Sequence, residues 1–158
     1  DFEQVSYRSG GLAQHTGYAQ EVISGVVATR TLLPRESGAL CLLDRAAGVV
    51  YTLPPPVVGM TFEFLATVAV TSNAYKVITN AATVFLVGGV IMGDVTVAQS
   101  GDYFEADGTT IVALSADGAT KGGLLGERYK VVAISATQWT IHGVLHGAGT
   151  LATPFATS

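Results

Sequence analysis

The chain has 158 residues, 49% of them apolar and only 13% charged, with a formal net charge of -4 and eight Lys and Arg scattered along it. That length suits one domain, or one domain with an arm, and can enclose a real core. An acidic balance with no basic run excludes the electrostatic footprint of nucleic-acid binding. No uncharged apolar run reaches the roughly 18 residues of a membrane-spanning helix, so the positive mean hydropathy points to a β-core and to subunit contacts.

Taken in chain order, residues Asp1 to Gln20 are polar and punctuated by Gly10, Gly11 and Gly17. Phe2, Tyr7 and Tyr18 are spread too widely for a helical stripe or a strand alternation, so the segment reads as an extended arm whose aromatic residues pack on a partner, the alternative being a flexible tail. Its opening decapeptide, DFEQVSYRSG, lacks the apolar region of a secretory signal. Glu21 to Thr31 is apolar enough for a first strand, with Gly25 as a bend. The expected division is therefore an arm leading into a first strand over 1–31, then a body over 32–158 with a short C-terminal tail.

From Leu32 onward, turn signals fall every 8 to 12 residues or so, the spacing of a sandwich or barrel. A short helical turn is expected near Pro34 to Gly38. Strands follow at Leu40–Leu43, Val49–Leu53 and Thr61–Val70. In these, Tyr51, Phe62 and Phe64 occupy one face of a period-two alternation and are expected core anchors. Pro54, Pro55 and Pro56 cannot donate backbone hydrogen bonds, so one strand must end there and the next begin after Gly59. Tyr75 to Thr79 alternates again. Val84–Val87 and Val90–Ala98 read as strands around the Gly88-Gly89 pair, with a break or bulge at Gly93-Asp94. Tyr103-Phe104 forms a short aromatic strand. Asp107-Gly108 and Asp117-Gly118 read as hairpin signals. The clearest hairpin joins Tyr129–Ile134 to Trp139–Gly143 through Ser135–Gln138, with Trp139 and Ile141 as further core anchors. No segment sustains a helical apolar period. The fold class expected is all-β, an antiparallel β-sandwich or jelly-roll-like barrel with an extended N-terminal arm.

Motifs for chemistry are thin. Cys41, the single cysteine, sits among leucines and reads as a small core hydrophobe. His15, His142 and His146 accompany no G-x-S-x-G elbow and no Cys-His signature. The i, i+4 spacing of His142 and His146 suits zinc only on a helix, and here it falls on or after a strand flanked by glycines. Asp102, Glu105 and Asp107 lack the spacing of a calcium loop. Gly88-Gly89 and Gly122-Gly123 have no strand-to-helix context for phosphate. The expectation is a protein without catalytic residues, cofactor or metal.

Several segments together resemble a known family. Leu33-Pro34-Arg35-Glu36-Ser37-Gly38, Leu42-Leu43-Asp44, Tyr51-Thr52-Leu53-Pro54 and Gly59-Met60-Thr61-Phe62-Glu63-Phe64 are similar to the opening and central corner of small β-rich bacteriophage capsid decoration (cement) proteins. Gly126-Glu127-Arg128-Tyr129-Lys130-Val131-Val132 and Trp139-Thr140-Ile141-His142-Gly143 resemble their closing part. The likeness spans about residues 32 to 145 and leaves the arm uncovered. It implies a structural virion protein on the outer capsid surface, bound to the major capsid protein and assembled as a homotrimer, with no nucleic-acid or membrane partner. On that reading Phe2, Tyr7 and Tyr18 are capsid or subunit contacts. The alternative is a carbohydrate-binding or host-recognition domain of a head or tail fibre, motivated by Tyr103 and Phe104 beside acidic residues. A tail-associated structural protein is a third reading.

Overall fold

The computed structural model describes the backbone of residues 7–9 and 12–14 and the whole chain over 19–158. Phe2 and Tyr18 lie outside the described residues, and so does the side chain of Tyr7. Among the described residues there are fourteen strands and one 3-10 turn, Pro34–Glu36. β1 (Tyr7–Ser9) and β2 (Leu12–Gln14) pair antiparallel as a unit of two. The other twelve form two sheets, as an all-β sequence of short alternating strands requires.

The sheets begin as a winding. β3 (Val22–Ile23), β5 (Leu40–Leu43) and β7 (Thr61–Ala66) lie side by side and parallel in one sheet. β4 (Thr29–Thr31), β6 (Val49–Thr52) and β8 (Tyr75–Ile78) do the same in the other. The chain therefore crosses between sheets at each connection, and strands two apart in sequence become neighbours. Composition dictates these crossings. Pro54, Pro55 and Pro56, between β6 and β7, have no amide to donate to a ladder. At the other corner, Gly48 takes φ 86° in a space where a Cβ would meet the Ala74 carbonyl oxygen at 2.6 Å.

The second half closes this winding with longer strands. β9 (Phe85–Asp94) and β10 (Gly101–Asp107) pair antiparallel. β12 (Arg128–Ala133) and β13 (Gln138–Gly147) form the expected hairpin. β12 lies antiparallel to β7, and β13 runs parallel to β9 along its whole length, giving the order β10-β9-β13-β12-β7-β5-β3. In the second sheet β11 (Ala113–Ala116) pairs antiparallel with both β8 and β14 (Phe155–Ala156), giving β14-β11-β8-β6-β4.

One core fills the space between the sheets. Tyr51 from the second sheet meets Phe64 from the first at a ring separation of 5.5 Å, and Phe64 stacks on Tyr129 at 5.3 Å. Phe62 packs against Trp139 at 6.1 Å. Tyr51, Phe62, Phe64, Trp139 and Ile141 are all enclosed, as period-two inward positions of their strands should be. The open end of the winding carries a polar closure instead. Arg30, in register with Tyr51, donates to Glu36 at 2.5 Å, and the second Glu36 oxygen accepts the Leu33 amide at 2.8 Å.

Four expectations are corrected. Both sheets are mixed rather than antiparallel, because the corners exchange sheets instead of folding a strand back on its predecessor. Gly88-Gly89 does not divide two strands: β9 runs straight through it, since the missing side chains let neighbouring backbones approach. A Cβ on Gly88 would stand 2.5 Å from the Ile141 carbonyl oxygen. Asp107-Gly108 is a corner between sheets rather than a hairpin. The Asp107 carboxylate accepts the amides of Thr109, Thr110 and Ile111 and so turns the chain toward β11 in the opposite sheet. Asp117 does the same for Ala119 and Lys121 ahead of β12.

Candidate binding face

Alternation that sends Phe64, Tyr129 and Ile141 inward sends their neighbours to the outer face of the seven-stranded sheet. Register pairs there trace rows across the strands. One row runs Tyr103, Ile91, Val144, Arg128, Leu65, Leu42; the next runs Glu105, Gly89, His142, Lys130, Glu63, Leu40, Val22. Tyr103 is 63% exposed, Ile91 58% and Val144 48%, three adjacent apolar side chains open to solvent. A short apolar strip therefore lies beside a charged one.

Gly89 sets the geometry of this strip. The Tyr103 ring lies down across strand β9 where Gly89 has no side chain, and its hydroxyl donates to the Gly88 carbonyl at 3.3 Å. An aromatic platform is the result. Next to it, a shallow depression of about 310 Å³ is lined by Glu63, Arg128, Lys130, His142 and Val144. Arg128 donates to Glu63 at 2.8 Å, and Gln20 reaches the same carboxylate oxygen at 3.4 Å. The Arg128 hydrogen bond holds the Glu63 carboxyl below its usual range, so it stays ionised and matched. Lys130 makes no ion pair among the described residues. The depression thus presents more positive than negative charge on a chain whose net charge is negative.

The aromatic pair singled out in the sequence is divided by the sheet. Tyr103 faces outward while Phe104, one residue on, packs against the core. Glu105 shares the Tyr103 face, but Asp102 falls on the other side of the strand, and Asp107 is occupied in its corner, where Thr110 donates a further bond at 2.5 Å. The hydroxyl and amide donors hold the Asp107 carboxyl far below its ordinary range. His142 and His146 stand on one side of a strand four residues apart, about 13 Å by strand rise, too far to share a metal ion. His146 Nδ1 lies 3.0 Å from the Leu125 carbonyl oxygen. Cys41 is fully enclosed, and burial pushes its thiol up to about 12, which suits a core hydrophobe.

Glu127 is the residue that sequence reasoning missed. It is wholly buried at the start of β12, with one carboxylate oxygen accepting the Gly123 amide at 2.7 Å and the other without a partner among the described residues. Burial pushes its carboxyl up to about 7. The only hint in the sequence is an acid placed where β12 begins to alternate.

Comparison with family models, with curated proteins and with solved structures finds no match to the chain.

Proposed function

We propose that this chain is a structural virion protein, a phage capsid decoration subunit. It binds the outer surface of the shell and stabilises it by bridging major capsid protein subunits, as a homotrimer and without catalytic activity. The observation that carries the reading is that segments resembling such proteins, far apart in sequence, join into one scaffold. The Leu32 amide donates to the Thr52 carbonyl at 2.9 Å and the Gly38 amide to Thr61 at 2.7 Å. The Gly59 amide donates to Ala133 at 2.9 Å, bringing the proline corner against the β12–β13 hairpin. A low charge content and an exposed apolar strip on a stiff sheet fit a protein that works by adhesion. Multiple copies on a symmetric shell would add avidity.

The test is direct. Shells lacking this protein should bind it at saturating stoichiometry and gain thermal or osmotic resistance, and imaged particles should carry its density on the outer surface. Binding to no shell component, or density confined to the tail, would sink the reading.

One observation favours a second reading, a carbohydrate-recognising domain. Tyr103 laid flat over Gly89, with Glu105 and His142 in the neighbouring row, has the stacking face and hydrogen-bonding groups that sugars use. Glycan-array binding lost on Tyr103→Ala, together with no attachment to shells, would decide for it.

A further inference from the structure

We propose that residues 122–126, GGLLG, form a flap over the core that the Glu127 side chain latches from inside while its carboxyl is protonated and releases when it ionises. The hinges are already in place. Gly122, Gly123 and Gly126 bracket Leu124 and Leu125 and take φ of 87°, 96° and 87°, a region that favours glycine. Under the flap lie two buried side chains: a Cβ on Gly122 would stand 2.9 Å from Leu145 Cδ2, and one on Gly123 2.6 Å from Val70 Cγ1. Lifting it uncovers both.

The ties on the flap are few. The Val70 amide donates to the Gly123 carbonyl at 2.9 Å, and the Gly126 amide to the Ala66 carbonyl at 2.8 Å. From outside, His146 Nδ1 lies 3.0 Å from the Leu125 carbonyl oxygen; from inside, Glu127 accepts the Gly123 amide at 2.7 Å. The stretch before the flap is held separately. There the Asp117 carboxylate accepts the Ala119 and Lys121 amides, while the Ala119 and Thr120 carbonyls accept the Ala148 and Ala152 amides.

Glu127 is the tie that can change. Its second oxygen is buried without a partner among the described residues, and it forms no ion pair among them. The titratable groups facing it are Tyr129 on its own strand, Tyr75 on β8 and His146 on β13. None can match its charge: the Tyr75 hydroxyl is engaged by the Val68 carbonyl, and His146 offers Glu127 its amide while its ring meets Leu125. In the loop itself Lys121 is exposed and Asp117 is occupied. A buried carboxylate with no counter-charge must be hydrated or protonated. Swinging a short flap on glycine hinges hydrates it while both sheets stay paired.

The flap is independent of shell attachment, and purified full-length chain suffices to test it. Hydrogen exchange is followed residue by residue and corrected for the intrinsic rate at each pH. Opening at the Gly123, Gly126 and Val70 amides should grow about tenfold per pH unit between the ordinary carboxyl value of 4.5 and about 7, then level off. These amides should open more readily than those of β9 and β13. Glu127→Gln keeps an acceptor for Gly123 and should abolish the slope, whereas His146→Gln should retain it. If Glu127→Gln does not fold, the wild type decides alone, because the 13C shift of the Glu127 carboxyl must titrate where the slope ends. The proposal is overturned by a flap with no slope, by flap amides that exchange no faster than β9, by a slope kept in Glu127→Gln or lost in His146→Gln, or by a carboxyl that titrates in the ordinary range.

Discussion

Glu127 holds the Gly123 amide at 2.7 Å from inside the core, 0% exposed, and thereby fixes the loop between β11 and β12. The same oxygen lies 3.5 Å from the His146 amide on β13. A single carboxyl thus joins a loop to two strands of the larger sheet.

This arrangement gives the fold a pH dependence. Burial raises the Glu127 carboxyl to about 7, outweighing the lowering pull of the Gly123 and His146 amides. The folded chain therefore binds this proton more tightly than the unfolded chain. Its contribution is fully present below the ordinary value of 4.5 and is lost as pH rises through 7. The loss is on the order of 3 kcal/mol. Thermal melts across that window should fall with rising pH in the wild type and be flatter in Glu127→Gln. Parallel curves for the two proteins would refute the assignment.

Tyr129 offers a test of the opposite sign. Its hydroxyl is buried and has no partner among the described residues, while its ring stacks on Phe64. Tyr129→Phe keeps the ring and removes the unpaired group, so it should stabilise the fold by about 1 kcal/mol. Chemical denaturation measures this. A loss of stability would mean that the hydroxyl is satisfied in solution.

Gly89 should tolerate no side chain. A Cβ there would meet the Tyr103 hydroxyl and stand 2.5 Å from the Phe104 carbonyl oxygen. Gly89→Ala should cost about 1–3 kcal/mol by forcing β10 away from β9. Tyr103→Ala, by contrast, should stay within about 0.5 kcal/mol of wild type because the ring is mostly exposed. Equal melting temperatures for wild type and Gly89→Ala would show that β10 yields freely.

The Arg30–Glu36 pair closes the end of the winding, and its parts should not be separable. Burial works to raise the Glu36 carboxyl, but the Leu33 amide and the Arg30 guanidinium outweigh it and keep the group ionised. Arg30→Met leaves that charge unmatched and should cost about 1–2 kcal/mol, reduced by the partial exposure of Arg30. Adding Glu36→Leu should recover part of the loss. A double variant less stable than the single one would indicate that the pair itself holds the 3-10 turn.

The legible part of the sequence is the part governed by local rules. β5, β6 and β8 fall where alternation of residues such as Tyr51 places them, β7 begins where expected but ends at Ala66 rather than Val70, and the Ser135–Gln138 turn makes the hairpin it promises. Alternation describes which face a residue takes but not which strand it pairs with. The parallel neighbours β5 and β7 were therefore hidden, as was the crossing of sheets at Asp107. Gly88 and Gly89 read as a break because close backbone approach and chain reversal call for the same residue. On the candidate face, Tyr103 was visible as an aromatic residue, whereas Ile91, Val144 and Lys130 join it only through pairings distant in sequence. Glu127 had only the hint of an acid standing where β12 begins to alternate.

The winding of β3 through β8 makes length an adjustable quantity. Register partners Val22 and Leu40, and likewise Val50 and Lys76, show one circuit taking 18 to 26 residues while advancing the body by a single strand. A duplicated circuit between β5 and β7 would lengthen the molecule by about 4.8 Å and leave the β9–β13 half as it stands. Each circuit of this winding thus adds one strand to each sheet, whereas the β9–β13 half is built from a single pair of long parallel strands.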